Sequence, residues 1–457
     1  MSEKTYDAIV IGAGPAGEVA AGRLADDGLK VAIVEPELIG GECSFYACMP
    51  SKALLRPGEL LAEVRRVPGA AEAVNGDLDV AAVLDRRDEV IHGLDDSSQL
   101  PWLESRGIEL FRERGRLDGE RRVLAGQDPL VAEKAVIVAT GTGALIPPID
   151  GLRESDPWTN REATTAKSVP ARLSILGGGV VGVEMAQAWR MLGSQVTLVE
   201  AADRLIAREE PFASEQVAES LRERGVDVRL GQKATAVRRE GGEVTLELEG
   251  GPAVVADELL VAVGRSPRTH DLGLESVGLE AGKSIEVDDS MRATGVDGDW
   301  LYAIGDVNGR TLLTHMGKYQ TRIAADVIGG RDARATTDGP ISPRVIFTDP
   351  QVAAVGHTLV SAQDADIDAR AVDALTSGNA GGSFYGKDAP GTTRLVVDRR
   401  RGVIVGATIT GSEVADFLHA ATIAVVGEVP LERLAHAVPS FPTRSEVWLN
   451  LLEDLDL

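Results

Sequence analysis

The chain has 457 residues, two cysteines and a formal net charge of −24. That length predicts about three domains, with enough apolar content for real cores. The acidic balance argues against nucleic acid or an anionic membrane surface as partner, because no basic footprint is present. No apolar run approaches membrane-spanning length, and the apolar start is too short and too early for a secretory segment, so a soluble cytoplasmic protein is expected.

The first predicted element is a short buried strand, Tyr6-Asp7-Ala8-Ile9-Val10-Ile11, running through Gly12, Gly14 and Gly17 into a helix. A second strand, Lys30-Val31-Ala32-Ile33-Val34, follows and ends on Glu35. This is a βαβ unit with G-x-G-x-x-G at its first turn. Such glycines let the backbone approach a pyrophosphate over a helix N-terminus, and the terminal carboxylate accepts from a ribose hydroxyl. Both cysteines come next, in Gly40-Gly41-Glu42-Cys43-Ser44-Phe45-Tyr46-Ala47-Cys48-Met49-Pro50-Ser51-Lys52. A disulfide between them closes only a small loop and stabilises little. A local pair beside a dinucleotide turn therefore reads as redox chemistry rather than as a staple.

A helical stretch around Asp85–Ile91 leads to an apolar strand, Ala135–Ala139, and the turn Thr140-Gly141-Thr142-Gly143. The first pattern then repeats. Leu173–Leu176 runs into Gly177, Gly179 and Gly182, and Gln195–Val199 ends on Glu200. One such fingerprint is weak evidence; two in strand–helix–strand context with the acid in place predict two bound dinucleotides. Leu259–Val263 and Gly264 follow, and Trp300–Val307 repeats the strand-then-glycine theme around Asp306. From about Ile341 the pattern turns to β-rich alternation (Arg394–Asp398, Val403–Ile409), then an apolar helix and a proline-punctuated tail. The expected fold is α/β, with two dinucleotide-binding domains and a separate C-terminal α+β domain.

In order along nearly its whole length, these motifs resemble the class I pyridine nucleotide–disulfide oxidoreductases, among them dihydrolipoamide dehydrogenase, glutathione reductase and mercuric reductase. The phrases Ala303-Ile304-Gly305-Asp306 and Val345-Ile346-Phe347-Thr348-Asp349-Pro350 belong to the same resemblance. It implies two Rossmann-like domains and a homodimer: FAD binding over residues 1–150, NAD(P) binding over 151–269, a returning FAD segment over 270–340 and dimerisation over 341–457. Glu35 is expected at the adenosine ribose and Asp306 at the ribityl chain. Gly115, Thr140, Gly141 and His315 are expected along the flavin nucleotide, and Gly264 along the nicotinamide nucleotide. Glu200 favours NADH over NADPH by hydrogen bonding and by repelling a 2′-phosphate, a preference that the nearby Arg204 is expected to soften.

The resemblance also assigns electron flow from nicotinamide to flavin to a Cys43–Cys48 disulfide, with Cys48 on the flavin side and Cys43 meeting substrate. Lys52 and Glu184 match the family's ion pair near the flavin. The cysteines are expected at the start of one helix, whose dipole and Lys52 favour thiolate. One position departs. Where disulfide-reducing relatives read His-Pro-Thr-x-Ser-Glu, this chain reads Phe441-Pro442-Thr443-Arg444-Ser445-Glu446. A phenyl ring moves no proton, and general acid–base catalysis is worth about 10²- to 10⁴-fold. His436 reads as an ordinary helix-end histidine, Glu446 as a local cap or salt bridge, and Phe441-Pro442 as a candidate cis bond.

Three functions follow. The leading one is transfer from NADH through FAD to a small acceptor such as a quinone or another electrophile, suited to an apolar Phe441. The second is ordinary disulfide reduction with another proton source, or flavin-mediated transhydrogenation between nicotinamide nucleotides. The third is a binding subunit of a 2-oxoacid dehydrogenase complex or a redox sensor. Mercuric reductase proper and high-molecular-weight thioredoxin reductase are disfavoured, since each uses a further C-terminal redox pair.

Overall fold

The protein was analysed as a computed structural model that describes residues 3–386, 389 and 391–455. It divides into two compact units. One comprises Met1–Pro50, Asp88–Leu145 and Arg265–Gly339; the other comprises Ser51–Arg87, Ile146–Gly264 and Pro340–Leu457.

The first unit is built on a parallel sheet ordered Glu109–Phe111, β2 (Val31–Val34), β1 (Lys4–Ile11), Asp128–Val138 and Leu301–Ala303. Strands Arg122–Ala125 and Gly115–Leu117 extend it as an antiparallel meander beside Asp128–Val138. Its strands read as continuous apolar runs because both faces are covered. Ile9, Ile11, Val136 and Val138 enter one core with Leu272 and Trp300. The alternate residues Ala8, Val10, Ala135 and Ile137 enter another, with Ala20, Leu24 and Ala324. That second core lies under helix α1 (Pro15–Asp26) and the helix Thr314–Ile328.

The second unit holds a four-stranded parallel sheet ordered Asp227–Arg229, Gln195–Val199, Arg172–Leu176 and Glu258–Val261. Its helix Val180–Met191 is buried continuously from Gly182 to Trp189. Glu184 and Gln187 are buried with the apolar residues of that stretch, and the helix packs in a core with Leu54, Leu55, Ile346 and Val352. A five-stranded antiparallel sheet follows, ordered Arg344–Ile346, Gln351–Gly356, Val403–Gly411, Thr392–Asp398 and Ala369–Leu375. The alternation expected for Val403–Ile409 does not separate a wet face from a dry one, since Val403–Gly411 is buried at every position. Ile404, Ala407 and Ile409 pack with the helix Leu418–Val426, whereas Val403 and Val405 pack with Ala362. On that second face the buried hydroxyl of Thr410 donates to Gln216 Oε1 at 2.6 Å. Among the described residues no helix is long and apolar enough to cross a membrane.

Candidate active site

The two glycine turns are metrical twins. Gly12 and Gly177 have φ of +103° and +111°, where an L side chain is strained. A Cβ on Gly17 would stand 1.9 Å from the Gly12 carbonyl oxygen, and one on Gly182 would stand 1.9 Å from that of Gly177. The first glycine of each turn meets the strand beside it, at Ala139 O and Ala262 O, both at 2.5 Å. The middle glycines differ in kind, because Gly14 and Gly179 have no heavy atom within 4 Å of a Cβ. Each caps a 12-residue helix in extended conformation, leaving that helix's first N–H groups beside open space. This is a cradle for a pyrophosphate. Each closing carboxylate is oriented by backbone: Glu35 accepts from the N–H groups of Ala13 and Glu37, both at 2.8 Å. Glu200 accepts from those of Gly178 at 2.5 Å and Ala202 at 2.7 Å. Burial pushes the Glu35 carboxyl above its ordinary value, with both N–H donors opposing. The guanidinium of Arg204 donates to the carbonyls of Ala207, at 2.6 Å, and Glu209, at 2.9 Å. It is held in its own loop.

Within the first unit, the Thr142 hydroxyl donates to Asp306 Oδ2 at 2.8 Å and accepts from Arg265 Nε at 2.6 Å. Burial raises the Asp306 carboxyl above its ordinary value, against the Thr142 hydrogen bond and the Arg265 charge. Thr140 donates to the Arg268 carbonyl at 3.0 Å, and Gly141 turns with φ +67°. Gly115 is buried where a Cβ would stand 2.8 Å from Ile11 Cγ2. His315 is exposed in the first turn of Thr314–Ile328. In the second unit Gly264 follows strand Glu258–Val261 with φ +157°.

The cysteines occupy two helices rather than the start of one. Cys43 lies in the single turn α2 (Gly41–Phe45), and Cys48 opens α3 (Cys48–Arg66), so only Cys48 stands at the head of a long helix. Gly40 and Gly41 are left-handed, at φ +108° and +54°, and a Cβ on Gly41 would approach the Gly14 Cα to 2.8 Å. That close approach presses the cysteine segment against the first nucleotide turn. Both residues are thiols. Hydrogen bonding to Cys48 and then burial hold the Cys43 thiol well above its ordinary value. The Thr314 hydroxyl lies 3.5 Å from Cys48 Sγ. Glu42, the residue before Cys43, is paired with Arg268 at 2.7 Å.

In the second unit Lys52 Nζ donates to Glu184 Oε2 at 2.9 Å and sits 4.7 Å over the Phe347 ring. Glu184 is 3% exposed, and its other oxygen accepts from the Phe347 N–H at 2.9 Å. The tail phrase is anchored at its far end. Arg444 stacks on Tyr385 at 4.0 Å and donates to the Ser412 carbonyl. Glu446, expected as a cap or salt bridge, accepts from the Gly381 N–H at 3.4 Å. The Phe441-Pro442 bond is cis, and the Phe441 ring is 76% exposed. His436 is exposed just beyond the short helix Leu431–Leu434. Sequence reasoning missed Thr142, Arg265, Thr314 and Phe347 as partners of these groups. Nothing in a linear motif marks a hydroxyl or a backbone N–H that a distant loop delivers.

Two dinucleotide cradles, a pair of adjacent thiols pressed on one of them and a buried lysine–carboxylate pair define a nucleotide-dependent dithiol oxidoreductase. Comparison with known proteins gives the family: residues 6–325 match the pyridine nucleotide-disulphide oxidoreductase model, and residues 342–452 match that family's dimerisation domain. The chain belongs to this family, an FAD-dependent group of enzymes that use nicotinamide nucleotides, and it departs from the disulfide-reducing members by lacking the C-terminal histidine. It is 31% identical to a mercuric reductase of Staphylococcus aureus, over 96% of this chain and 81% of that one. It is also 31% identical to a dihydrolipoyl dehydrogenase of Haloferax volcanii, over 98% and 95%. Among solved structures it resembles the HOCl-induced flavoprotein disulfide reductase RclA of Escherichia coli, solved as a Cu(II) complex, with TM-score 0.86, 25% identity and full coverage of both chains. LpdA of Mycobacterium tuberculosis matches with TM-score 0.85 and 26% identity, over 98% of this chain and 99% of that one.

Proposed function

We propose that the protein carries two electrons from NADH, through FAD and the Cys43–Cys48 pair, to a flat apolar acceptor such as a quinone. The observation that carries this is Phe441. It stands where disulfide-reducing relatives place histidine, in a phrase whose proline, threonine, serine and glutamate are kept, and its ring is exposed. An exposed phenyl ring supplies stacking area and no proton, which suits an acceptor that needs no acid for an exchanging thiol.

Bound FAD would supply the two-electron redox chemistry that links the nicotinamide to the cysteine pair. The residues of the chain then have these roles. The turns at Gly12, Gly14 and Gly17 and at Gly177, Gly179 and Gly182 hold the two pyrophosphates. Glu35 and Glu200 accept from the adenosine riboses, and Asp306, fixed by Thr142, holds the ribityl chain. Gly115, Thr140, Gly141 and His315 line the flavin nucleotide, and Gly264 lines the nicotinamide nucleotide. Lys52, oriented by Glu184, would supply the cation that a reduced flavin calls for. NADH is preferred because Glu200 is fixed by two N–H groups while Arg204 is engaged by loop carbonyls. The four segments 1–150, 151–269, 270–340 and 341–457 serve as flavin, nicotinamide, returning flavin and dimer domains of a cytoplasmic homodimer.

Disulfide reduction is the second reading. It is favoured by the retained Glu446 and the adjacent thiols, and by relatives called dihydrolipoyl dehydrogenase and flavoprotein disulfide reductase. A screen of quinones, lipoamide and glutathione disulfide, with NADH and NADPH side by side, separates the two. Quinone turnover with NADH is expected, and Phe441→His is expected to raise disulfide turnover about 10²-fold. Rapid lipoamide turnover by the unaltered protein would overturn the quinone assignment.

A further inference from the structure

We infer that Lys318 is the built-in cationic partner of the Cys43 sulfur, supplying from this chain's own helix the charge stabilisation that a tail histidine gives elsewhere. The inference deepens the function proposed above and rests on Cys43 being the thiol that meets the acceptor.

The helix Thr314–Ile328 begins at the cysteines, with the Thr314 hydroxyl 3.5 Å from Cys48 Sγ. Lys318 is one turn further along, and residues four apart share a face. Helical side chains lean toward the N-terminus, which directs a long side chain at 318 back toward Thr314 and the end of the helix where the sulfurs lie. Lys318 is exposed, as an ammonium serving an acceptor-facing thiol has to be. Hydrogen bonding to Cys48 and burial raise the Cys43 thiol, and the Thr314 hydroxyl and then the Lys318 charge oppose them.

The surrounding charges make Lys318 the available cation. On the neighbouring helix α1, Glu18 lies in the first turn, and burial raises its carboxyl while Lys318 opposes. The two helices are fastened by the Thr321 hydroxyl, which donates to the Ala16 carbonyl at 3.0 Å. On α2 itself Glu42 is paired with Arg268, and on α3 Lys52 is paired with Glu184. His315 lies beside Thr314 in the same first turn and is exposed. The charge of Lys318 thus acts on one half-buried carboxylate, Glu18, and on one sulfur, Cys43.

The chemistry balances without a further reagent. A hydride equivalent from the nicotinamide nucleotide, two electrons and one proton, breaks the Cys43–Cys48 S–S bond and leaves one thiol and one thiolate. The ammonium favours the negative charge on Cys43, the nucleophilic form. Unlike an imidazole, an ammonium keeps its charge throughout the neutral range.

The test is the pH dependence of Cys43 alkylation by iodoacetamide in the dithiothreitol-reduced holoprotein, read by mass spectrometry between pH 5 and 11. In Lys318→Met the midpoint is expected to rise by about one pH unit, the low end for loss of an opposite charge because the lysine is exposed. Lys318→Arg is expected to restore the original midpoint, and Glu18→Gln to lower it by freeing Lys318 for the sulfur. Coincident midpoints for the unaltered protein and Lys318→Met would overturn the inference. No acceptor enters this assay, so a failed quinone assignment leaves the profile intact, and an unmoved profile leaves quinone turnover to be judged separately.

Discussion

Glu184 is nearly inaccessible to solvent, and its two oxygens are satisfied by one ammonium and one backbone N–H. Removing the ammonium leaves a carboxylate that the interior cannot solvate. Breaking a buried pair costs about 3–5 kcal/mol, and a lysine whose side chain is still 34% exposed places this one at the lower end. Lys52→Met is therefore expected to lose about 3 kcal/mol in urea unfolding, and the double variant with Glu184→Gln to recover most of it. Glu200 governs a different measurement. Glu200→Ala removes the acceptor that Gly178 and Ala202 hold in place, and the ratio of kcat/KM for NADH to that for NADPH is expected to fall about tenfold or more.

The paired turns allow elements to be compared within one chain. Gly17→Ala and Gly182→Ala each drive a methyl group into a backbone oxygen 1.9 Å away, and both are expected to destabilise the fold without any ligand. Gly14→Ala and Gly179→Ala meet no protein atom, so the fold is expected to tolerate them. Gly14→Ala should lower flavin content on purification, whereas Gly179→Ala should raise KM for NADH with flavin content unchanged. At the helix Asn160–Thr165, Thr159 and Glu162 form a capping box. Burial raises the Glu162 carboxyl, but hydrogen bonds from the Thr159 hydroxyl and N–H outweigh it and hold the group below its ordinary value. Its ionised form therefore contributes stability that is complete above the unfolded value and lost as pH falls through the folded one. Glu162→Gln is expected to flatten the urea midpoint between about pH 5 and pH 3, and Thr159→Ala to cost about 1 kcal/mol at neutral pH. These elements show what sequence conveys. The strands and glycine turns were legible because period, glycine and terminal acid are local signals. The split of the cysteine segment at Tyr46–Ala47 was not, since no glycine or proline marks that break, and neither was the double burial of Val403–Gly411, which depends on what covers each face.

At the scale of the whole molecule, the C-terminal segment presents a surface a monomer does not need. The helix Leu418–Val426 is apolar but for His419 and Thr422, and Ile423 and Val426, three residues apart on one face, are 58% and 45% exposed. Exposed apolar side chains on one face call for cover, and these residues lie within the match to the family's dimerisation domain. The apparent melting temperature is expected to rise with protein concentration, as subunit association requires. Ile423→Glu combined with Val426→Lys is expected to give a smaller species by light scattering. One further property follows from how the tail is fixed. Tyr385, Ser412 and Gly381 hold Arg444 and Glu446, while the ring of Phe441 is exposed. Within a protomer, then, the identity of residue 441 is thermodynamically almost silent. A codon change there leaves the folding of the protomer undisturbed, so this position is free to vary without cost to the scaffold.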